Sequence, residues 1–350
     1  MTILLYVNIE KNFPDFNLKV ELEADREVLA LLGASGCGKS LILKCIAGIE
    51  KPDKGHIVIN NTTVFSDNVN LPPQKRRTGF LFQNYALFPT KTVWNNIACV
   101  IKKPKSEKQA IVSNIIKKFQ LEEVQNLYPR QISGGQQQRT ALARILVSEP
   151  KILMLDEPFS ALDTHLRWQL EQEVASILAE FGGTTVLVSH DRDEVYRMSH
   201  KIAVMNNGRI DTKGSKTEIF DNPKTLVAAR MTGCKNISRA EKTGNFTLKA
   251  LNWGIHLQTK DPVPDGIKYI GVRAHHFQIS HENNGCENNN VFLCHIHRTI
   301  QEPFEDVFIF SFTENSAENS ERLLFKMPKQ NKIYDTLKIH IPPEKILCLE

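Results

Sequence analysis

The feature that most constrains this chain is the octapeptide Gly33-Ala34-Ser35-Gly36-Cys37-Gly38-Lys39-Ser40. It has the spacing G-x-x-x-x-G-K-S and lies between an apolar run, Val28 to Leu32, and a helix-like run, Leu41 to Ala47. A strand, a glycine-rich turn and a helix in that order make an anion cradle. The glycines let successive backbone N–H groups turn inward around a polyphosphate. The helix that follows points its positive end at the same place. In such a loop Lys39 reaches the β- and γ-phosphates as a point charge, and Ser40 holds Mg²⁺. The surrounding fold is predicted to be α/β.

A nucleotide loop alone allows kinases, GTPases, helicases and transport motors, and a second segment narrows the choice. Ile132-Ser133-Gly134-Gly135-Gln136-Gln137-Gln138-Arg139 runs into Thr140 to Val147. Ser133 can cap a helix, and Gln136 three residues on completes a capping box. Gly134 and Gly135 allow close backbone approach to a ligand. Ala141, Leu142, Ile145 and Leu146 then form one apolar face at helical spacing. Further on, Ile152 to Leu155 reads as a strand buried on both faces, ending in Asp156 and Glu157. Ligands of open parallel sheets collect at such carboxyl ends, so the two acids fit a site for Mg²⁺ and water. Thr184 to Ser189 is another apolar strand, and it ends at His190.

In order and content these segments resemble the ATP-binding-cassette (ABC) ATPases, whose signature is usually Leu-Ser-Gly-Gly-Gln; Ile132 replaces that leucine. The resemblance covers residues 1 to about 230 and five ordered motifs. It implies a P-loop cassette with a helical insert at about 95–145, mostly helical from Ala98 to Tyr128. It implies that Gly33, Ala34, Ser35, Gly36, Cys37, Gly38, Lys39, Ser40 and Leu41 bind ATP. Mg²⁺ would be held by Ser40, Asp156 and Gln83. Glu157 would be the general base for the attacking water, and His190 the switch histidine at the γ-phosphate. Gln83, in Phe80-Leu-Phe-Gln83, would link the nucleotide to a transmembrane partner. Ser160 to Asp163 would be the D-loop at a dimer interface. Ser133, Gly134, Gly135 and Gln136 would meet ATP held by a second copy. An aromatic ring should stack on adenine; Phe13 is preferred over Phe16, with Tyr6 third.

Length and composition fit this reading. At 350 residues the chain suits two domains, 1–234 and 235–350. No apolar stretch approaches the roughly 18 residues that span a bilayer, and the amino terminus lacks the pattern of a secretion signal. The chain is therefore expected in the cytoplasm, reaching the membrane only by docking. The excess of 44 basic over 39 acidic residues is small and dispersed. Lys75-Arg76-Arg77 and Lys102-Lys103-Pro-Lys105 read as solvated faces, and no nucleic acid is expected. Seven scattered cysteines fit a reducing compartment. Cys294-His-Ile-His297 reads as a strand rather than a metal site, because no second ligand group at zinc-like spacing accompanies it.

After about residue 235 short strand-like runs alternate with Gly, Asn and Pro turns. Eight are predicted: 245–250, 254–259, 268–273, 277–280, 291–296, 307–312, 323–327 and 337–341, as a small barrel or sandwich. Ile270-Gly-Val-Arg273 and the residues after it resemble a turn in the carboxyl-terminal (OB/TOBE-like) barrels of import ATPases for sugars, sulfate, iron and molybdate. His275 and His276 stand where that turn has Pro-Glu or Glu-Asp. Residues 281–290 read as a polar loop. The resemblance thus implies the ATPase subunit of an ABC importer, as a homodimer bound to membrane permease subunits on the cytoplasmic side of the plasma membrane. A periplasmic or extracellular solute-binding protein would supply cargo. Molybdate or sulfate is the expected cargo; ferric iron, polyamine or sugar is the alternative. A soluble ABC ATPase of repair or translation and a small-molecule kinase are rival classes.

Overall fold

The computed structural model describes residues 4–160, 164–280, 290–312, 321–329 and 334–350, the side chains of 164–166 excepted. The chain divides into two compact units, Met1–Lys216 and Thr217–Glu350. No described helix is long and apolar enough to cross a membrane.

The first unit is built on strands β1 (Leu5–Phe13), β2 (Phe16–Ala24), β3 (Val28–Gly33), β4 (Lys54–Ile59), β5 (Thr62–Ser66), β6 (Val69–Asn70), β7 (Thr78–Leu81), β8 (Ile152–Asp156), β9 (Thr184–Ser189), β10 (Lys201–Asn206) and β11 (Arg209–Ser215). Its helices are α1 (Lys39–Ala47), α2 (Val93–Ala98), α3 (Lys105–Lys118), α4 (Gly134–Leu146), α5 (Thr164–Phe181) and α6 (Arg192–Met198). The strands form one sheet in the order β6-β5-β4-β1-β2-β11-β10-β3-β9-β8-β7. From β10 to β7 every neighbour is parallel. β3, β8 and β9 are buried at every position, which is why they read in the sequence as unbroken apolar runs. Leu31, Met154 and Val186 of this sheet share a core with Ile42 and Ile46 of α1.

The parallel order puts the carboxyl ends of β3, β8 and β9 side by side, where open α/β sheets hold ligands. β1 and β2 form a hairpin that pairs Phe13 with Phe16. The turn into α1 depends on Gly38, whose φ of 103° is left-handed. A Cβ there would lie 2.9 Å from the Phe16 ring, so only glycine fits. Arg76 corrects one expectation: it is 1% exposed, not solvated. Its guanidinium donates to Cys45 O, Ile46 O, Leu71 O and Asn70 Oδ1.

α7 (Lys216–Asp221), whose first residue closes the first unit, and α8 (Leu226–Met231) are separated at Asn222-Pro223, a helix-breaking pair. Ten strands follow: β12 (Asn236–Lys242), β13 (Thr247–Ala250), β14 (Ile255–Gln258), β15 (Tyr269–Val272), β16 (Gln278–Ile279), β17 (Val291–Gln301), β18 (Glu305–Ser311), β19 (Leu323–Pro328), β20 (Thr336–His340) and β21 (Leu347–Leu349). They make two five-stranded sheets, β14-β13-β12-β15-β21 and β16-β20-β17-β18-β19. All eight predicted strands form, and β12 and β21 are additional. Of the two predicted arrangements the structure takes the two-sheet one. Leu248 and Ile270 of the first sheet share a core with Phe310, Phe325 and Ile339 of the second. Asn236 ties the sheets: its Nδ2 donates to Val272 O and Leu324 O, and its Oδ1 accepts from Leu324 N.

The compact unit starts before the change in composition at 235 because the two helices pack on the strands. Arg273, 8% exposed, donates to Thr232 O at 2.6 Å and to Phe220 O. Cys294 is fully buried, its thiol pushed up to about 12 by burial, and His297 Nε2 bonds Ser311 Oγ at 2.9 Å. Among the described residues no cluster could hold a metal ion through three His, Cys, Asp or Glu side chains. Residues 281–289 of the predicted polar loop lie outside the described residues.

Candidate functional site

At the glycine-rich loop Lys39 is almost wholly buried, and its ammonium donates to Gly33 O at 2.7 Å and Ala34 O at 2.9 Å. The loop thus satisfies its own lysine through carbonyls that a stronger anionic acceptor could replace. Ser40 Oγ donates to Asp156 Oδ1 at 2.7 Å, joining the start of α1 to the end of β8. Burial pushes the Asp156 carboxyl above the usual carboxylate value; the Ser40 hydrogen bond opposes this and the adjacent Glu157 charge adds to it. A desolvated carboxylate beside a hydroxyl is an all-oxygen donor set, which suits a hard divalent cation such as Mg²⁺.

Glu157 follows with φ of 46°, a left-handed backbone for a side-chain-bearing residue. Its N–H donates to Val188 O at 3.0 Å, locking the turn after β8 to β9. That turn aims the carboxylate at the end of β9, where His190 Nδ1 lies 3.1 Å from Glu157 Oε1. Ser160 Oγ donates to Glu157 O at 3.0 Å, and Gln83 Nε2 donates to Ser160 Oγ at 3.2 Å. One cleft of about 330 Å³ is lined by Phe16, Ser35, Gly36, Gly38, Lys39, Ser40, Leu41 and Glu157. Three separate sequence motifs therefore meet at the ends of β3, β8 and β9, with Gln83 joined to them through Ser160.

Ser133, Gly134, Gly135 and Gln136 start α4, as predicted. Ser133 Oγ accepts from Gln136 N at 3.3 Å, and Gln136 Oε1 accepts from Ser133 N at 3.0 Å. Among the described residues no hydrogen bond or ion pair joins this segment to the cleft, and none of it lines the cleft. Of the three aromatic candidates Phe16 lines the cleft, and Phe13 is 44% exposed with its ring centroid 6.5 Å from that of Phe16. Phe16, paired with Phe13 across the hairpin, is the ring that meets Gly38. Tyr6 pairs instead with Glu21. Asp163 lies outside the described residues.

Sequence reasoning missed two side chains that shape this region. Asn96 is fully buried and bonds the backbone of Phe88, Lys91 and Thr92, fixing the segment after Gln83. Arg144 on α4 donates to Tyr85 O at 3.1 Å and lies 5.3 Å from the Phe88 ring centroid. The available signal for Asn96 was an asparagine on an otherwise apolar face of α2; Arg144, one turn from Thr140 and Ala141 on α4, carries no comparable signal.

The family described as ABC transporter matches residues 16–160. The spermidine/putrescine import ATP-binding protein of Nitratidesulfovibrio vulgaris is 41% identical over 68% of this chain and 65% of its own length. The sulfate/thiosulfate import ATP-binding protein of Pseudomonas aeruginosa is 41% identical over 65% of this chain and 71% of its own. The chain belongs to the ABC transporter family. It spans 65% and 56% of the length of two spermidine/putrescine relatives, the second from Oleidesulfovibrio alaskensis. Among solved structures, a dimeric ATP-binding cassette in a post-hydrolysis state bound to ADP and Pi is 28% identical, with a TM-score of 0.52 over 61% of this chain and 98% of that one. The cbiO1 protein of Clostridium perfringens, part of an ABC transporter complex, is 29% identical, with a TM-score of 0.54 over 63% of this chain and 91% of that one. These matches leave about a third of this ABC chain uncovered.

Proposed function

We propose that this chain is the ATP-hydrolysing motor subunit of an ABC importer, acting on the cytoplasmic side of a membrane as two copies docked on separate permease subunits. The observation that carries the reading is the meeting of Lys39, Ser40, Asp156, Glu157 and His190 at one end of the parallel sheet. Lys39 would exchange its two carbonyl acceptors for phosphate oxygens, and Gly36 and Gly38 would let the loop backbone approach them. Phe13, whose ring is exposed, or Phe16, which lines the cleft, would stack on the base. Ser40 and Asp156 would hold Mg²⁺, with Gln83 as a third donor once it leaves Ser160; bound there, the ion would neutralise charge developing on the phosphate. Glu157 would take a proton from the attacking water, and His190 would fix the Glu157 carboxylate and contact the γ-phosphate. Ser133 to Gln136, none of which lines this cleft, would close over nucleotide held by the second copy, with Asp163 at the seam.

For cargo, the reading favours an oxyanion, sulfate or molybdate, supported by the sulfate/thiosulfate relative that aligns over 71% of its length. A polyamine is the second reading, supported by relatives named for spermidine/putrescine import with the same identity. A binding protein outside the membrane would choose between them. Uptake of labelled sulfate and labelled spermidine in cells with and without this gene separates the two.

Glu157→Gln tests the motor. The amide keeps shape and removes the base, so Mg-ATP binding should persist while turnover falls by about 100-fold or more. Size-exclusion chromatography with ATP should then show an accumulated dimer. A variant that stays monomeric with ATP and turns over at the wild-type rate sinks the assignment.

A further inference from the structure

Behind His190 lies a buried carboxyl that the motor reading does not use. Ser189 Oγ accepts from Asp191 N at 3.0 Å, so it bonds across His190 and closes the turn that presents the imidazole. The same oxygen lies 2.9 Å from Glu194 Oε2. Glu194 is 4% exposed, on the first turn of α6, and its Oε1 has no hydrogen-bond partner among the described residues. Asp191 completes the arrangement: its Oδ1 accepts from Asp193 N at 2.9 Å and Glu194 N at 3.2 Å, and its Oδ2 faces Arg167 at 3.4 Å. The backbone on either side of His190 is thus fixed by side chains, and Ser189 and Glu194 are the buried pair among them.

We infer that Glu194 is a positioning residue for His190, holding the Ser189–Asp191 turn so that the imidazole stays within reach of Glu157. This rests on the motor reading only for its kinetic consequence. The groups facing Glu194 are Ser189 and Asp191 on the turn before it, and Glu171 and Arg167 on α5; Glu171 is itself paired to Arg197 of α6 at 2.6 Å. Burial, with Asp191 and Glu171 adding to it, pushes the Glu194 carboxyl up to about 8, against the Ser189 hydrogen bond and Arg167. At neutral pH it therefore holds its proton. Above about pH 8 an unsolvated negative charge appears beside two carboxylates and loosens the turn.

The test measures Mg-ATP hydrolysis by the full chain from about pH 6 to about pH 9, together with the imidazole NMR resonance of His190, assigned with His190→Gln. Glu194→Ala and Ser189→Ala should each lower kcat about tenfold or more, with KM for ATP changed less than about threefold, because the glycine-rich loop is untouched. Glu194→Gln should recover most of the kcat lost in Glu194→Ala at neutral pH and abolish the alkaline fall of the wild type. In Glu194→Ala the His190 resonance should shift or broaden; in Glu194→Gln it should not. The inference is overturned by a Glu194→Ala protein with wild-type kcat and an unmoved His190 resonance, or by a Glu194→Gln protein that keeps the wild-type alkaline limb. A wild-type chain that binds ATP without turnover overturns the motor reading instead, and the His190 resonance in Glu194→Ala still decides the positioning role.

Discussion

At the scale of single residues, the charge that the sequence most misrepresents is Arg76. Between Lys75 and Arg77 it looks like part of a solvated basic run, yet its guanidinium is enclosed and faces carbonyls at the last turn of α1. Those carbonyls are the negative end of the helix whose other end forms the phosphate loop. Gly48, with φ of 78°, makes the space: a Cβ there would sit 2.5 Å from Arg76 Nε. Arg76→Ala removes four hydrogen bonds and leaves buried carbonyls orphaned, at about 1–3 kcal/mol each before relaxation. We expect a net loss of about 3–5 kcal/mol in urea unfolding, with Arg76→Lys intermediate because an ammonium lacks the planar fork. A loss below about 1 kcal/mol for Arg76→Ala would remove this capping role. Burial of this kind is invisible in the sequence, since two of the four acceptors come from Cys45 and Ile46, some thirty positions away.

At the scale of elements, the legible parts were those whose chemistry and periodicity coincide. β3, β8 and β9 announce themselves as apolar runs that end in a glycine loop, two acids and a histidine, and α4 announces itself by its capping box. β12 was not legible because two of its buried positions, Asn236 and Ser238, are polar and owe their burial to hydrogen bonds with distant segments. β21 is three residues long, too short for a period to show. The contact of Phe16 with Gly38 was not legible, because periodicity places neither Phe13 nor Phe16 against a glycine of another segment. The segment after Gln83 hides a further relation. Tyr85 and Ala86 have φ of 57° and 45°, consecutive left-handed residues without glycine. Such backbone costs roughly 1–2 kcal/mol per residue and persists only where neighbours hold it. Arg144 on α4 supplies the hold through Tyr85 O and the Phe88 ring. Arg144→Ala should let this turn relax, so amide exchange over 83–90 should quicken by about tenfold while β3 and β8 stay protected. Unchanged protection over 83–90 would mean that the turn holds its own shape.

At the scale of the whole molecule, the decisive fact is that two anion-facing helix starts in one chain do not share a cleft. The start of α1 lines the cleft with Glu157, whereas the side chains of Ser133 and Gln136 accept from each other's backbone N–H at the start of α4. Gly135 is buried, with a Cβ there 3.1 Å from Leu170, whereas Gly134 is exposed, and its missing side chain lets a ligand approach the helix start closely. A second copy in a head-to-tail pair would bring its α4 to this cleft and receive the reverse, making two identical composite sites by symmetry. The consequence can be measured by mixing. Lys39→Ala spoils the loop, and Ser133→Arg places a bulky side chain where phosphate would sit. Each variant alone should turn over about 100-fold more slowly than the wild type. In a mixed pair one site carries both defects and the other carries neither. If one intact site suffices, combining the two dead proteins should restore roughly a quarter of wild-type turnover, from half the pairs being mixed and half their sites intact. Varying the ratio of Lys39→Ala to Ser133→Arg at constant total protein should then give activity that peaks near equal amounts, a shape that contamination by wild type cannot produce. Activity absent at every ratio would mean that closure needs both nucleotides. A Ser133→Arg protein with wild-type turnover would show that α4 takes no part in the site, and the composite arrangement would fall with it.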